Sequence, residues 1–362
     1  MKSLPTMGSV AVLCFAVANV EALDSRRIPA KAPVPSNASG ASQLSAQTPP
    51  DAGGRTLRVG PSVEYATPSA AAAVARDGDT IEIASGDYRG DVAVWNASRI
   101  RIVGADPRPH IHAEGRDAQG KGIWVVRGDD VAIENVEMSG ARVADRNGAA
   151  IRSEGRNLLL RNVFLHDNEN GLLSGAKPTS EIAIEHCEFA RNGGGDGFTH
   201  NLYVGNIAKL IVRQSYLHHA IAGHNLKSRA AISILTDNRL ADEADGRASY
   251  DADFPNGGQV LLAFNIFQKG ASAENSTLVS YGAEGLSPDA KSEFVAKGNT
   301  FISQRPNGSR FIFLAPGTKT ININGNVFAG PGTLPDVPGI KANNAVQREM
   351  PGNVDLKPEG FR

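Results

Sequence analysis

Two segments of the chain are near-copies, His200-Asn201-Leu202-Tyr203-Val204 and His224-Asn225-Leu226-Lys227-Ser228. They begin 24 residues apart, and Arg229 directly follows the second. These residue types can move protons and hold anions. A lysine acts as a base when a neighbouring cation lowers its affinity for a proton, and Arg229 is such a neighbour. Arginine grips a carboxylate bidentately. Tyrosine and histidine can give or take a second proton. Lys227, Arg229, Tyr203 and His200 are therefore the candidate groups for proton transfer and anion binding. His224 either faces the same ligand or caps the turn before its strand.

Such groups need a scaffold that stacks them. Period-2 alternation turns Leu202, Val204, Leu226 and Ser228 inward and Tyr203 and Lys227 outward. If 24 residues make one turn of a repeat, Lys227 lies above Tyr203. A further step places Ser249-Tyr250-Asp251-Ala252-Asp253 above that, with Asp251 near Lys227 and Asp253 near Arg229. Thr277-Leu278-Val279-Ser280-Tyr281 then brings Tyr281 to the same face, with Leu173 and Arg152 one and two steps below Tyr203. Asn201, Asn225, Asp251, Asp253, Tyr281 and Arg152 are assigned to substrate binding. The turn-rich residues 250–258 are placed as the wall of a groove. The competing reading is a solvated face laced with salt bridges.

The repeat is visible along most of the chain. Short apolar runs end at a fixed offset, as in Val131-Ala-Ile-Glu-Asn-Val136, Leu158-Leu-Leu-Arg-Asn-Val163 and Ile182-Ala-Ile-Glu-His-Cys187. The series continues to Ile321-Asn-Ile-Asn-Gly-Asn326, with starts 23 to 34 residues apart. Helical pairs with a 3.6-residue period are absent, and so is a leucine-rich consensus. A parallel β-helix fits: short strands separated by turns, coils about 4.8 Å apart, like residues above like. Endpoints 238, 265, 299 and 326 are all Asn, which predicts an amide ladder inside a turn. Val136, Val163, Cys187 and Ser215 hold the same position, so Cys187 reads as a small core residue. Residues 56–330 make roughly eleven coils, and the alanine-rich residues 68–75 form a short helix capping the first.

The stretch Gly78-Asp-Thr-Ile-Glu-Ile-Ala-Ser-Gly-Asp-Tyr-Arg-Gly90 and the coils after it resemble the pectate-lyase-like right-handed parallel β-helix superfamily. The resemblance spans about residues 56–330. It implies an all-β, single-stranded right-handed solenoid that binds an extended polysaccharide along a groove, and often β-elimination on uronic-acid chains. That reaction needs a neutralised carboxylate, a base for the C5 proton and an acid for the leaving oxygen; the resemblance thus implies Arg229 as carboxylate neutraliser, Lys227 as base, and Tyr203 or His200 as proton donor. The Lys/Arg pairing is similar to that of the chondroitinase B and alginate lyase group. The strand carrying His200 is similar in placement to the Asp-Pro-His strand of mannuronan C5-epimerases, but here reads Phe198-Thr199-His200. A glycoside hydrolase would instead use two of Asp251, Asp253 and Glu284 at one groove point, without a basic pair between them. A non-catalytic binding module would need an exposed aromatic platform, and aromatics make up only 6% of the chain.

Composition removes other classes. Lys+Arg is 37 against Asp+Glu 38, so no net charge drives binding to nucleic acid or an anionic membrane. Two cysteines make neither a disulfide framework nor a thiolate metal site. Residues 1–22 read as an export signal: Lys2, an apolar run over 7–20 too short to span a bilayer, and Val20-Glu21-Ala22 for cleavage. The protein is thus expected to be secreted or periplasmic, monomeric, not inserted in a membrane, and partnered with an anionic polysaccharide. Residues 23–55 read as a Pro-, Ser- and Ala-rich tether and residues 331–362 as a C-terminal cap or tail. No cofactor is required by the pattern. Ca²⁺ is the one ion the acids suggest, held by Asp251 and Asp253 or by Asp242, Glu243 and Asp245. His218 and His219 are expected as solvated turn residues.

Overall fold

The computed structural model describes residues 53–288 and 291–349. The expected export signal, most of the expected tether and the last part of the expected tail lie outside the described residues. Among the described residues, short strands build three parallel sheets of 11, 10 and 11 strands. Each turn of the chain gives one strand to each sheet in fixed order. Ile207–Arg213 enters the first sheet, Tyr216–His218 the second and Leu226–Ser228 the third. Ile232–Thr236 then returns to stack on Ile207–Arg213. The architecture is a right-handed parallel β-helix, all-β apart from one short helix among the described residues.

The corners explain why this sequence coils. Between the first and second sheets, Asn135, Asn162, His186, Gln214, Asp237, Phe264, Gly298 and Gly325 all have φ between 48° and 65°. One left-handed residue bends the chain sharply, a conformation that Gly and Asn tolerate best. The next residue turns inward. There Val136, Val163, Cys187 and Ser215 give way to a ladder of Asn238, Asn265, Asn299 and Asn326. Each carboxamide oxygen accepts the Nδ2–H of the Asn one coil below, at 2.9, 3.0 and 2.9 Å in turn. Each also accepts that residue's backbone N–H at 2.9–3.0 Å. The buried corner is thereby hydrogen-bonded without water. Asn344 extends the ladder, and Ala345–Gln347 pairs with Val327–Ala329, so coiling runs past residue 330.

Two residues after the corner, Phe189, Leu217, Leu240, Phe267, Phe301 and Phe328 stack in register. All are fully buried, and the last three rings lie parallel with centroids 5.1 and 5.0 Å apart. Burying such side chains contributes roughly 1.5–3 kcal/mol each. Cys187 is fully buried among them, and burial pushes its thiol up to about 12, so it is inert core. At the N-terminal end, helix Pro68–Ala72 begins with a Thr67 cap and buries Ala71 against the first coil. Asp91 accepts from Ser69 N–H at 3.0 Å and also from its hydroxyl, fixing the helix there.

Candidate active site

The 24-residue step holds at the centre of the third sheet. Tyr203 pairs with Lys227, Leu202 with Leu226 and Val204 with Ser228, and the inward set is fully buried. Leu173 lies below Tyr203 and Arg152 below Leu173.

One coil higher the register differs from expectation. Lys227 pairs with Asp253, not Asp251. The connection around residues 242–247 closes a turn of its own, with Gly246 N–H donating to the Asp242 carbonyl, and so consumes two extra residues. Asp251 therefore falls in a corner. It is fully buried, 2.9 Å from Lys269 Nζ, with Asp242 3.3 Å from the same ammonium. Burial drives the Asp251 carboxyl well above its usual range, which favours the neutral form. Asp251 touches no groove and is not a substrate-binding group, nor does it share a calcium site with Asp253. Tyr281 is displaced by one position. It pairs with Phe254 in the core and its hydroxyl donates to the Gly258 carbonyl at 2.6 Å, while Ser280 takes the outward place above Asp253.

Asn201 and Asn225 are also corrected. Both are fully buried in a second amide ladder, Asn168–Asn192–Asn201–Asn225, with links of 2.9, 2.8 and 2.9 Å. They hold the corner that leads into the site strands and cannot meet a polymer. His200 and His224 lie beside them. Their rings stack at 4.4 Å and are 1% and 7% exposed, too enclosed to reach substrate. The His224 N–H donates to His200 Nδ1 at 2.9 Å, so in the neutral ring the proton is on Nε2. Burial, then Lys227 and Arg229, push His200 down to about 3. Burial, then His200, take His224 well below the usual imidazole range. Two neutral rings thus floor the site, with the Tyr203 ring set edge-on to His200 at a centroid distance of 5.3 Å. The proton-donor role expected of His200 and the ligand-facing alternative for His224 do not fit side chains this enclosed.

The outward groups converge. The Tyr203 hydroxyl accepts from Arg229 Nε at 3.0 Å, which leaves its own proton free to donate. Arg229 Nη1 donates to Asn256. Glu284 bridges the basic pair, with Oε2 2.6 Å from Arg229 Nη2 and Oε1 3.0 Å from Lys227 Nζ. Burial alone would raise the Glu284 carboxyl, but hydrogen bonds from Arg229 and Lys227 outweigh it and lower it. Asp253 Oδ2 stands 4.0 Å from Lys227 Nζ and 3.7 Å from His224 Nε2. Burial raises its carboxyl to about 6, against the pull of Ser280 and Lys227 toward the charged form. An open cleft of about 420 Å³ adjoins, lined by Arg229, Asn256, Gly257, Gly258, Glu284 and Leu286 among others.

The expected groove wall over residues 250–258 is thus partly realised: Ala252–Phe254 is a strand, while Asn256, Gly257 and Gly258 line the cleft. The sequence placed Asn256 only within the groove wall, with no role of its own, and Glu284 only as a hydrolase acid. Neither lies at a repeat position, so strand periodicity offered no signal for them. The acidic run near 242 does not converge on an ion. Asp242 faces Lys269, Glu243 bonds Arg239 through both oxygens at 2.7 Å, and Asp245 meets His219 at 3.0 Å. His218 is buried rather than solvated, stacked 4.0 Å from Tyr216 and 3.2 Å from Glu188.

No protein-family model matches the chain, and no curated protein matches it in sequence. Its fold has solved counterparts. Pectate lyase Pel9A superposes with a TM-score of 0.50 at 14% identity, covering 80% of this chain and 79% of that one. The PL6 family alginate lyase AlyGC superposes with a TM-score of 0.51 at 12% identity, over 76% of this chain; the match spans 40% of that longer chain. The chain has the pectate-lyase-like right-handed parallel β-helix fold.

Proposed function

We propose that the protein is an exported, carbohydrate-active enzyme that cleaves a uronic-acid-containing polysaccharide by β-elimination. The observation that carries this reading is Glu284: its carboxylate is gripped at once by Lys227 and Arg229 beside a cleft. A uronate carboxylate displacing it would gain the same charge-assisted contacts. The two solved counterparts, a pectate lyase and an alginate lyase, agree with this class.

In the proposed reaction Arg229 neutralises the substrate carboxylate, which acidifies the C5 proton. Lys227, having passed a proton to Asp253 or water, takes the C5 proton. The C5–H electrons form the C4–C5 double bond and the C4–O bond breaks. Tyr203 protonates the leaving oxygen and recovers its proton from water. Arg152, on the same face two coils below Tyr203, extends the basic track for a further acidic sugar.

A hydrolase is less well supported, because the ammonium of Lys227 lies between Asp253 and Glu284. An epimerase would perform the same proton abstraction and return the proton from the opposite face. The deciding assay incubates the protein with a panel of polyuronates, with and without chelator. Lysis gives the ultraviolet band of an unsaturated uronate and new reducing ends. Hydrolysis gives reducing ends without the band, epimerisation changes sugar configuration without cleavage, and retention on a polymer column without turnover marks a binding protein.

A further inference from the structure

We propose that His110, Glu137 and His166 form a binding site for a divalent transition-metal ion of the zinc class on the outer face of the second sheet. The three residues come from strands His110–His112, Glu137–Ser139 and Phe164–His166, which stack in register in three successive coils. One ligand atom from each lies within 4.8 Å of the others. Two imidazoles and one carboxylate suit zinc, leaving a coordination position for water. The side chains of His110, Glu137 and His166 are 27%, 14% and 13% exposed, so an ion can enter from solvent.

The surroundings of His166 make the case stronger than proximity alone. Its Nδ1 lies 2.6 Å from Asp167 Oδ2, and Asp167 is itself gripped by Arg191 at 3.0 and 2.9 Å. A carboxylate on one ring nitrogen fixes the proton there and aims the lone pair of the other, the arrangement typical behind a metal-bound histidine. The aimed nitrogen, Nε2, meets Glu137 Oε1 at 3.1 Å. A lone pair facing a carboxylate repels it unless a cation stands between. A proton can fill that role, and so can a metal ion. Ligand atoms around tetrahedral zinc stand about 3.3 Å apart, close to this spacing. His110 completes the set. Its Nε2 is 2.7 Å from the Ser139 hydroxyl and its ring centroid is 5.7 Å from that of His166. Its ligand atom, within 4.8 Å of the other two, has to swing inward to close the site.

Such a site is separate from the Lys227 cleft, on a different sheet, and it would cross-link three coils. The test is calorimetric titration of chelator-treated full-length protein with ZnCl₂ and, separately, CaCl₂. One Zn²⁺ per chain and no Ca²⁺ uptake are expected, with a melting temperature that rises with zinc. Co²⁺ should show the visible bands of a four- or five-coordinate ion. Glu137→Gln combined with His166→Asn should abolish binding. Asp167→Asn, which leaves all three ligands in place, should weaken it by about 10- to 100-fold. His219→Asn, at the corner just past the Tyr216–His218 strand and outside the cluster, should bind as before. No saturable zinc uptake, or unchanged uptake in the double variant, would overturn the site and leave the proton as the cation between His166 and Glu137.

Discussion

Glu284 reaches Arg229 with an Oε2–Nη2 distance of 2.6 Å while its other oxygen holds Lys227 at 3.0 Å. A side chain of the protein thus occupies the place proposed for a uronate carboxylate. The pair is partly exposed, and exposed ion pairs are weak. Glu284→Gln should therefore lower KM for polyuronate roughly 2- to 5-fold, the range such pairs are worth, with kcat little changed. Steady-state kinetics on an active polymer checks this; an unchanged or higher KM removes the idea of competition.

Lys227→Ala should reduce turnover by about 10²- to 10⁴-fold, as expected for loss of a general base. Arg229→Lys should not restore the function of Arg229, since an ammonium cannot hold Tyr203, Asn256 and a carboxylate in one plane. Tyr203→Phe should lose turnover while still binding polymer. Full eliminase activity in Lys227→Ala would refute the base assignment.

The buried His200 gives a pH signature. Its unfolded pKa is near 6.5 and its folded value about 3, so the unfolded chain binds more protons across that window. The stability it contributes is complete above 6.5 and lost as pH falls toward 3. His200→Gln should flatten the acid limb of a denaturation-versus-pH curve. A wild-type slope retained in the variant would point to another group.

Asp253 acts in the opposite sense. Its carboxyl rises from 3.8 to about 6 on folding, so the native state holds the extra proton. Stability from this group falls as pH rises from about 4 through 6. Asp253→Asn, which keeps the shape and removes the charge, should raise the melting temperature above pH 6 and leave it unchanged below pH 4. Equal shifts at both pH values would show that charge burial is not the cause.

The amide ladder predicts a graded cost. Asn299→Ala leaves the Asn265 backbone N–H without its acceptor, takes from the Asn265 amide one of its two acceptors, and removes the side-chain bonds of Asn299 to Asn326 and Leu262. Stranding buried polar groups costs about 1–3 kcal/mol each, so destabilisation of several kcal/mol is expected. Asn344→Ala, at the partly exposed end, should cost less. Chemical denaturation of the two variants ranks them, and equal costs would contradict a cooperative ladder.

The coils were legible in sequence because the corner imposes its own code: a left-handed residue, then an inward small or amide residue, then an apolar one. Registration of Tyr203 with Lys227 was legible because the two strands are near-copies. Asp253 was misplaced because coil length is set by the corner loops, and the turn near Asp242 adds two residues without disturbing any strand pattern. Asn201 and Asn225 looked like surface amides for a related reason. Alternation describes strands, and both residues lie at a corner, where the next amide up or down the stack decides their direction. Glu284 is brought in by a loop, so only the folded chain shows it opposite Lys227.

A solenoid has no long-range framework; each layer leans only on the ones adjoining it. The Leu226–Ser228 strand is sixth of the ten in its sheet, counted from Ala93–Trp95. Fraying that starts at either tip must peel away several layers before it loosens Lys227. Trimming by proteases at the extremities should therefore leave the cleft working long after the molecule has begun to shorten.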